Sequence, residues 1–406
     1  MGFWDRLRGK PTRDDFAQMI IKAMRAKGEA RPIHYEPQGF KLRIGDEPAA
    51  VAWLANGYEE YLRTPRRLRS EILRRYAIGP APSPESDRLE DILPRLLPRV
   101  RDRFFYTAMP LRLEIEGIAG PRGGLFRPIA EHLALGLVQD LPDHIIEVPE
   151  SAFSQWGIPF EEAMTIARQN LQTISQEPFE RVRSGVYVSP WRDNHDAARL
   201  TLVDPLRRLL VRGDPVAMVA HRDTLIITGT DDIAGLDAMA AMTESVMETP
   251  RAITCIPVCL LDDDTWVPFV PEPDHPLYPR YTALRVATLN SEYLRQKQLL
   301  DALHEKREES VVVASYQARV NDEGDDVVTY CALQPGKPTL LPRTGHVLFV
   351  EPDAPEDAEM LCCPWEHVAE VLGDALEAVE TYPPRYRVEA FPDAERLAAL
   401  KKGVAE

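Results

Sequence analysis

The spacing of apolar residues changes along the chain, and each spacing predicts a different element. From Asp14 to Lys27, Phe16, Ile20, Ala23 and Met24 recur at helical intervals, with Asp14 or Asp15 suited to the first turn. Ile33 to Ile44 reads as a hairpin turning at Pro37-Gln38-Gly39, followed by an apolar helix from about Ala49 to Leu62. Leu68, Ile72, Leu73 and Tyr76 then make one apolar helical face, ringed by Arg63, Arg66, Arg67, Arg69, Arg74 and Arg75. Prolines 80, 82, 84, 94 and 98 predict a linker over 77–98.

Beyond Phe104 the pattern turns mostly to period two. Tyr106 to Glu116 alternates in part, cleanly from Leu111 to Glu116, and predicts a strand. Pro159 to Leu171 predicts a helix, with Pro at its first position. Val216 to Ala220 and Leu225 to Thr230 are predicted strands around His221-Arg222-Asp223-Thr224, and a helix follows from Ile233 to Met247. Strands at Ile253 to Leu261 and Thr265 to Val270 bracket Asp262-Asp263-Asp264. Prolines 268 to 279 break the chain before an amphipathic helix from about Ser291 to Glu309. The last unit offers strands at Val311 to Val320, Val327 to Leu333, Gly345 to Val350 and Tyr386 to Phe391, with a helix over 364–380.

These elements predict an α+β fold of three small units, built on antiparallel or mixed sheets with flanking helices. The divisions fall at 1–27 (amphipathic helices), 28–98 (a basic α+β segment ending in the linker), 99–270 (the core), 271–309 (Pro-rich linker and helix) and 310–395 (an acidic module).

Charge changes this picture in one respect. The 406 residues carry a net −16, but residues 1–103 hold 21 basic against 15 acidic side chains, and the remainder is acidic. No nucleic acid is therefore expected for residues 104–406. The arginines at 63, 66, 67, 69, 74 and 75 are candidates for binding an anion or a partner. Phe3, Trp4 and Leu7 lie at helical spacing among cations, which suits contact with an anionic membrane surface. Five cysteines in no framework spacing, and no long apolar run, point to a reducing cytoplasm.

Four stretches occur in a distinctive order. Trp156-Gly157-Ile158-Pro159 opens the helix that ends Ala167-Arg168-Gln169-Asn170-Leu171. His195-Asp196-Ala197-Ala198-Arg199-Leu200, Val219-Ala220-His221-Arg222-Asp223-Thr224-Leu225-Ile226 and Ile253-Thr254-Cys255-Ile256-Pro257 follow. Together they resemble the YtpQ family of bacterial cytoplasmic proteins, over roughly residues 100–270. The family has Ser where this chain has Ala198, and Pro where it has Ala220, so no serine chemistry is implied at 198. The resemblance implies a cytoplasmic setting and brings no reaction with it.

Two constellations carry candidate chemistry. His221, Arg222 and Asp223 form either a polar strand turn or a site with a histidine base oriented by a carboxylate. His195, Asp196 and Arg199 form either a capped helix start or half of a His/Asp/Arg cluster that converges with the first. A protein-kinase loop is excluded, since Thr228 stands where such a loop needs Asn. Asp262 to Asp264 reads as a solvated hairpin tip, and Cys255 and Cys259 as small core residues. No metal or cofactor is expected. The sequence favours a non-enzymatic protein-binding or adaptor protein. A hydrolase-type enzyme using the two clusters, or a peripheral membrane protein, is the alternative.

Overall fold

The computed structural model describes residues 10–46, 50–77, 88–118, 124–141, 144–183, 185–247, 249–320, 327–350 and 360–402. Phe3, Trp4 and Leu7 lie outside them. The fold is α+β with several antiparallel and mixed sheets.

Thr12 starts the first helix through a reciprocal cap: its hydroxyl accepts the Asp15 N–H, and the Asp15 carboxylate accepts its own. Helix α1 (Arg13–Ala26) packs on an antiparallel meander of β1 (Ile33–Glu36), β2 (Lys41–Ile44) and β3 (Ala50–Trp53). Helices α2 (Ala55–Arg63) and α3 (Arg69–Tyr76) complete this unit. Phe16, Ile20 and Met24 share one apolar cluster with Leu42, Tyr58 and Ile72, so α1 belongs with the unit rather than apart from it. The helix predicted over 49–62 starts only at Ala55, because Ala50–Trp53 pairs with β2.

The predicted linker over 77–98 is structured at its end. Helix α4 (Leu89–Ile92) and strand β4 (Leu96–Asp102) lie there, and Ile92, Leu96 and Leu97 are buried. Asp102 ends β4 and caps helix α5 (Arg103–Ile115) by accepting the Phe105 N–H at 2.8 Å. Leu111 to Ile115, predicted as strand, is the end of this helix. Strand β4 pairs with the central strand of β5 (Phe126–Ile129), β6 (Leu133–Leu141) and β7 (His144–Glu147). Helices α6 (Glu150–Trp156) and α7 (Phe160–Thr173) follow.

The second sheet of the core is antiparallel. Chain order gives β8 (Glu180–Arg183), β9 (Val186–Val188), helix α8 (Val203–Arg207), β10 (Pro215–His221) and β11 (Thr224–Gly229). Helix α9 (Ile233–Met247) precedes β12 (Val258–Leu260) and β13 (Trp266–Pro268), and the spatial order is β13-β12-β10-β11-β9-β8. Both faces of β10 are covered. Ala217 and Val219 pack with Val100, Leu135 and Ala163, while Val216, Met218 and Ala220 pack with Leu236 and Met239 of α9.

Helix α10 (Tyr278–Arg307) starts thirteen residues before the predicted Ser291 and links the core to the C-terminal unit. Pro279 sits in its first turn, where a missing N–H costs nothing. The last unit has two four-stranded mixed sheets. Strands β14 (Val312–Val313), β15 (Gln317–Val320), β16 (Val327–Leu333), β17 (Thr339–Pro342), β18 (His346–Phe349) and β19 (Leu361–Pro364) come before α11 (Trp365–Leu372). Strands β20 (Glu377–Val379) and β21 (Arg385–Val388) and helix α12 (Ala394–Lys402) end it. The helix predicted over 364–380 stops at Leu372, because Gly373 takes a positive φ and Glu377–Val379 pairs with β21.

Glu292 of α10 is buried, and its Oε2 meets no hydrogen-bond partner among the described residues. Burial first, then Asp102, pushes its carboxyl well above the usual range; Arg295 opposes and Glu131 adds to the shift. A raised carboxyl pKa gives stability that is complete below the ordinary range and lost as pH rises through the folded value. Glu292→Gln should remove that loss. The variant should melt with the wild type at pH 5 and increasingly above it toward pH 9; a difference that is constant with pH would contradict this.

A cationic cleft between the first unit and the core

Strand β4 points Val100 into the core, so its neighbours Arg99 and Arg101 point the other way. The sharp passage from β4 into α5 sets Phe105 beside them. The Arg99 and Arg101 guanidinium carbons lie 5.3 and 4.7 Å from its ring centre. Across from this wall stands α3 with Arg74, Arg75 and Tyr76, together with Lys27 and Trp53. The β10–β11 turn adds Arg222, and Arg95 and Arg251 close the outline.

The cleft so formed has a volume of about 940 Å³. Its lining carries eight basic side chains (Lys27, Arg74, Arg75, Arg95, Arg99, Arg101, Arg222 and Arg251) against three acidic ones (Glu71, Asp140 and Asp193). Some of these charges are balanced from behind. Arg75 meets Glu60 at 2.6 Å, Arg251 reaches the same carboxylate at 3.4 Å, and Arg99 meets Glu147 at 2.8 Å. Arg251 also donates to the Tyr76 hydroxyl, which ties the two walls together.

Arg101 and Arg222 are less well served. Neither Nε finds a hydrogen-bond acceptor among the described residues. Their closest carboxylates are Asp102, 3.7 Å from Arg101, and Asp223, 3.4 Å from Arg222. Burial pushes the Arg101 guanidinium below its usual range, and burial followed by Arg251 pushes Arg222 down to about 10.

The two sequence constellations meet at this cleft. The Ala197 N–H donates to the Arg222 carbonyl at 3.1 Å, and the Asn194 N–H donates to Asp223 Oδ1 at 2.7 Å. Their acid and base groups, however, are largely engaged in holding the loops. His221 Nδ1 accepts the Asp223 N–H at 3.1 Å, which leaves the proton on Nε2 to donate to the Pro250 carbonyl at 2.9 Å. Burial lowers its pKa. Arg199 is 1% exposed, donates twice to Asp193 and once to Ser175 Oγ, and lies 4.0 Å over Trp191. Asp196 is buried, accepts the Asp193 N–H at 3.2 Å, and has its pKa raised by burial. His195 is also buried, with Nε2 3.5 Å from Asp140 and no hydrogen bond there.

Of the six arginines singled out from sequence, Arg74 and Arg75 line the cleft. Arg63, Arg66 and Arg67 are exposed and do not line it, while Arg69 bonds the Thr64 carbonyl and lies 4.8 Å over the Tyr61 ring. Sequence reasoning missed Lys27, Trp53, Arg95, Arg99, Arg101, Phe105 and Arg251. The alternation Pro98-Arg99-Val100-Arg101-Asp102 was the one local signal for a cationic strand face.

Elsewhere, Asp264 is the exposed hairpin tip and accepts from Arg207 at 2.8 Å. Cys255 and Cys259 are buried, and burial pushes both thiols up to about 11. Among the described residues, no group of three or more His, Cys, Asp or Glu side chains is arranged to hold a metal, and no helix is long and apolar enough to cross a membrane. No family model, curated protein or solved structure matches the chain.

Proposed function

We propose that the protein is a non-enzymatic binding protein and that it holds an anionic ligand in the cleft between its first unit and its core. The observation that carries this is the gathering of eight basic side chains against three acidic ones in one concavity. Bringing like charges together, two of them largely buried, opposes folding, and a bound anion removes that opposition. The acid–base groups beside the cleft favour binding over catalysis, since His221 and Arg199 are spent on the loops they support. Another protein is the partner class favoured by the sequence, and an acidic segment of one is the second occupant; the cleft's size, typical of small-ligand sites, puts a small anion first.

The YtpQ resemblance is proposed for the core alone. Its stretches contribute Ala167, Ala197, Leu200, Val219, Leu225 and Ile253 to one apolar cluster, so the likeness follows the packing of the core rather than catalytic groups. A cytoplasmic setting is proposed with it, and the five unpaired thiols suit a reducing compartment.

Titration calorimetry with inorganic pyrophosphate tests the function. Binding in the micromolar range is expected, weakening several-fold when salt rises from about 50 to 200 mM because the contacts are charge-driven. Absence of binding up to millimolar pyrophosphate would overturn the proposal.

A further inference from the structure

The cleft is not only cationic; three aromatic rings line it, and their surroundings differ. Tyr76 is fixed from both sides: it accepts from Arg251, and its ring packs so closely on Gly57 that a Cβ there would come within 2.9 Å. Phe105 is occupied by the guanidinium groups of Arg99 and Arg101. Trp53 is different. It ends β3 at the lip of the cleft, is 36% exposed, and has no ring or guanidinium stacked on it among the described residues.

A large ring left uncovered at the mouth of a charged cleft offers a π face to a ligand that is flat at one end and anionic at the other. One side-chain amide accompanies it. Asn56, in the first turn of α2 and three residues beyond Trp53, lines the cleft and can donate to and accept from a heterocycle edge. Arg101 and Arg222 line the same cleft, and their nearest carboxylates, Asp102 at 3.7 Å and Asp223 at 3.4 Å, match them only loosely.

We infer that the anionic ligand is a nucleotide, with its phosphates on Arg101 and Arg222 and its base on Trp53. The inference rests on the anion-binding reading above and adds the chemistry of the ligand's other end. A mononucleotide suits the cleft better than a polymer, because a volume of about 940 Å³ is that of a small-ligand site and the chain as a whole carries a net charge of −16.

The test compares inorganic pyrophosphate, ADP, adenosine and a short thymidine oligonucleotide on the full chain, by calorimetry and tryptophan fluorescence. ADP should bind on the order of 10-fold more tightly than pyrophosphate, the size expected from one stacked base, and should quench fluorescence. Trp53→Ala should bring ADP to the pyrophosphate level, abolish the quench and leave pyrophosphate binding unchanged. Trp53→Phe should keep part of the preference. Trp53 lies at the surface, so both variants are expected to fold, and their melting curves check it. Equal binding of ADP and pyrophosphate to the wild type would overturn the nucleotide inference and leave the anion reading standing. Failure of both to bind would overturn both, and an oligonucleotide that binds more tightly than ADP would replace the mononucleotide with a single strand.

Discussion

Replacing Arg101 and Arg222 together by glutamine is expected to weaken pyrophosphate binding by about 100-fold or more while leaving the melting temperature unchanged or higher. Each charge-assisted bond to a phosphate contributes roughly 1.5–3 kcal/mol, and two lost together reach that factor. Stability should move the other way. The Arg222 pKa is held down to about 10, first by burial and then by Arg251, and burial lowers that of Arg101. A lowered pKa on a base means that the folded state disfavours its charge, so at neutral pH each charge subtracts from stability and a neutral amide restores it. Neighbouring carboxylates are not stranded: Arg99 stays on Glu147, and Asp223 still accepts the Asn194 N–H. Titration of both proteins, beside their melting curves, measures the two effects. Loss of binding together with a melting point lower by many degrees would make these arginines structural supports instead.

The second large effect lies far from the cleft. Arg385 of β21 is 1% exposed, and its hydrogen bonds go to oxygens that carry no charge. It donates to Gln296 Oε1 at 2.6 Å and to the carbonyls of Ala314 and Leu340 at 2.9 Å each. One guanidinium thus joins α10, β17, β21 and the chain leaving β14, which no lysine fork can match. Arg385→Leu removes the guanidinium and leaves Gln296 Oε1 and the Ala314 carbonyl without it, while the Leu340 carbonyl keeps the Ala314 N–H, a cost of roughly 2–5 kcal/mol. Hydrogen exchange should then quicken in β14, β17 and β21 and stay slow in β10 and β11. Unchanged exchange in the C-terminal strands would contradict the role given to Arg385.

How far the sequence revealed this architecture depends on how local each signal is. Helix α1 was legible because its cap and its apolar stripe both lie within fifteen residues. The end of α5 was not. Six alternating residues from Leu111 also place Leu111 and Ile115 four apart, and Asp102, whose cap starts the helix, lies nine residues upstream of that run. Pro279 reads as a breaker until its place in a first turn is known. Strand β4 was hidden by prolines, although Leu96, Leu97 and Val100 are buried and the strand pairs with β6.

The site was legible in part. Arg74, Arg75 and Arg222 were visible as unusual charges, and the His195 and His221 segments as candidates that converge. What no local pattern carried was the approach of Lys27 and Trp53 to Arg95, Arg99, Arg101 and Arg251, which are distant in sequence and meet only when the first unit docks on the core. The docking also changes what the split between a basic first quarter and an acidic remainder means. Lys41 and Arg43 do pair with Glu116, yet the core meets the first unit chiefly with arginines of its own.

Crystals soaked in tungstate, a tetrahedral oxyanion visible by anomalous scattering, test the central claim most directly. The account predicts a peak within hydrogen-bond distance of both Arg101 and Arg222, lost in the double glutamine variant. An empty cleft with tungstate bound on other surfaces would contradict it.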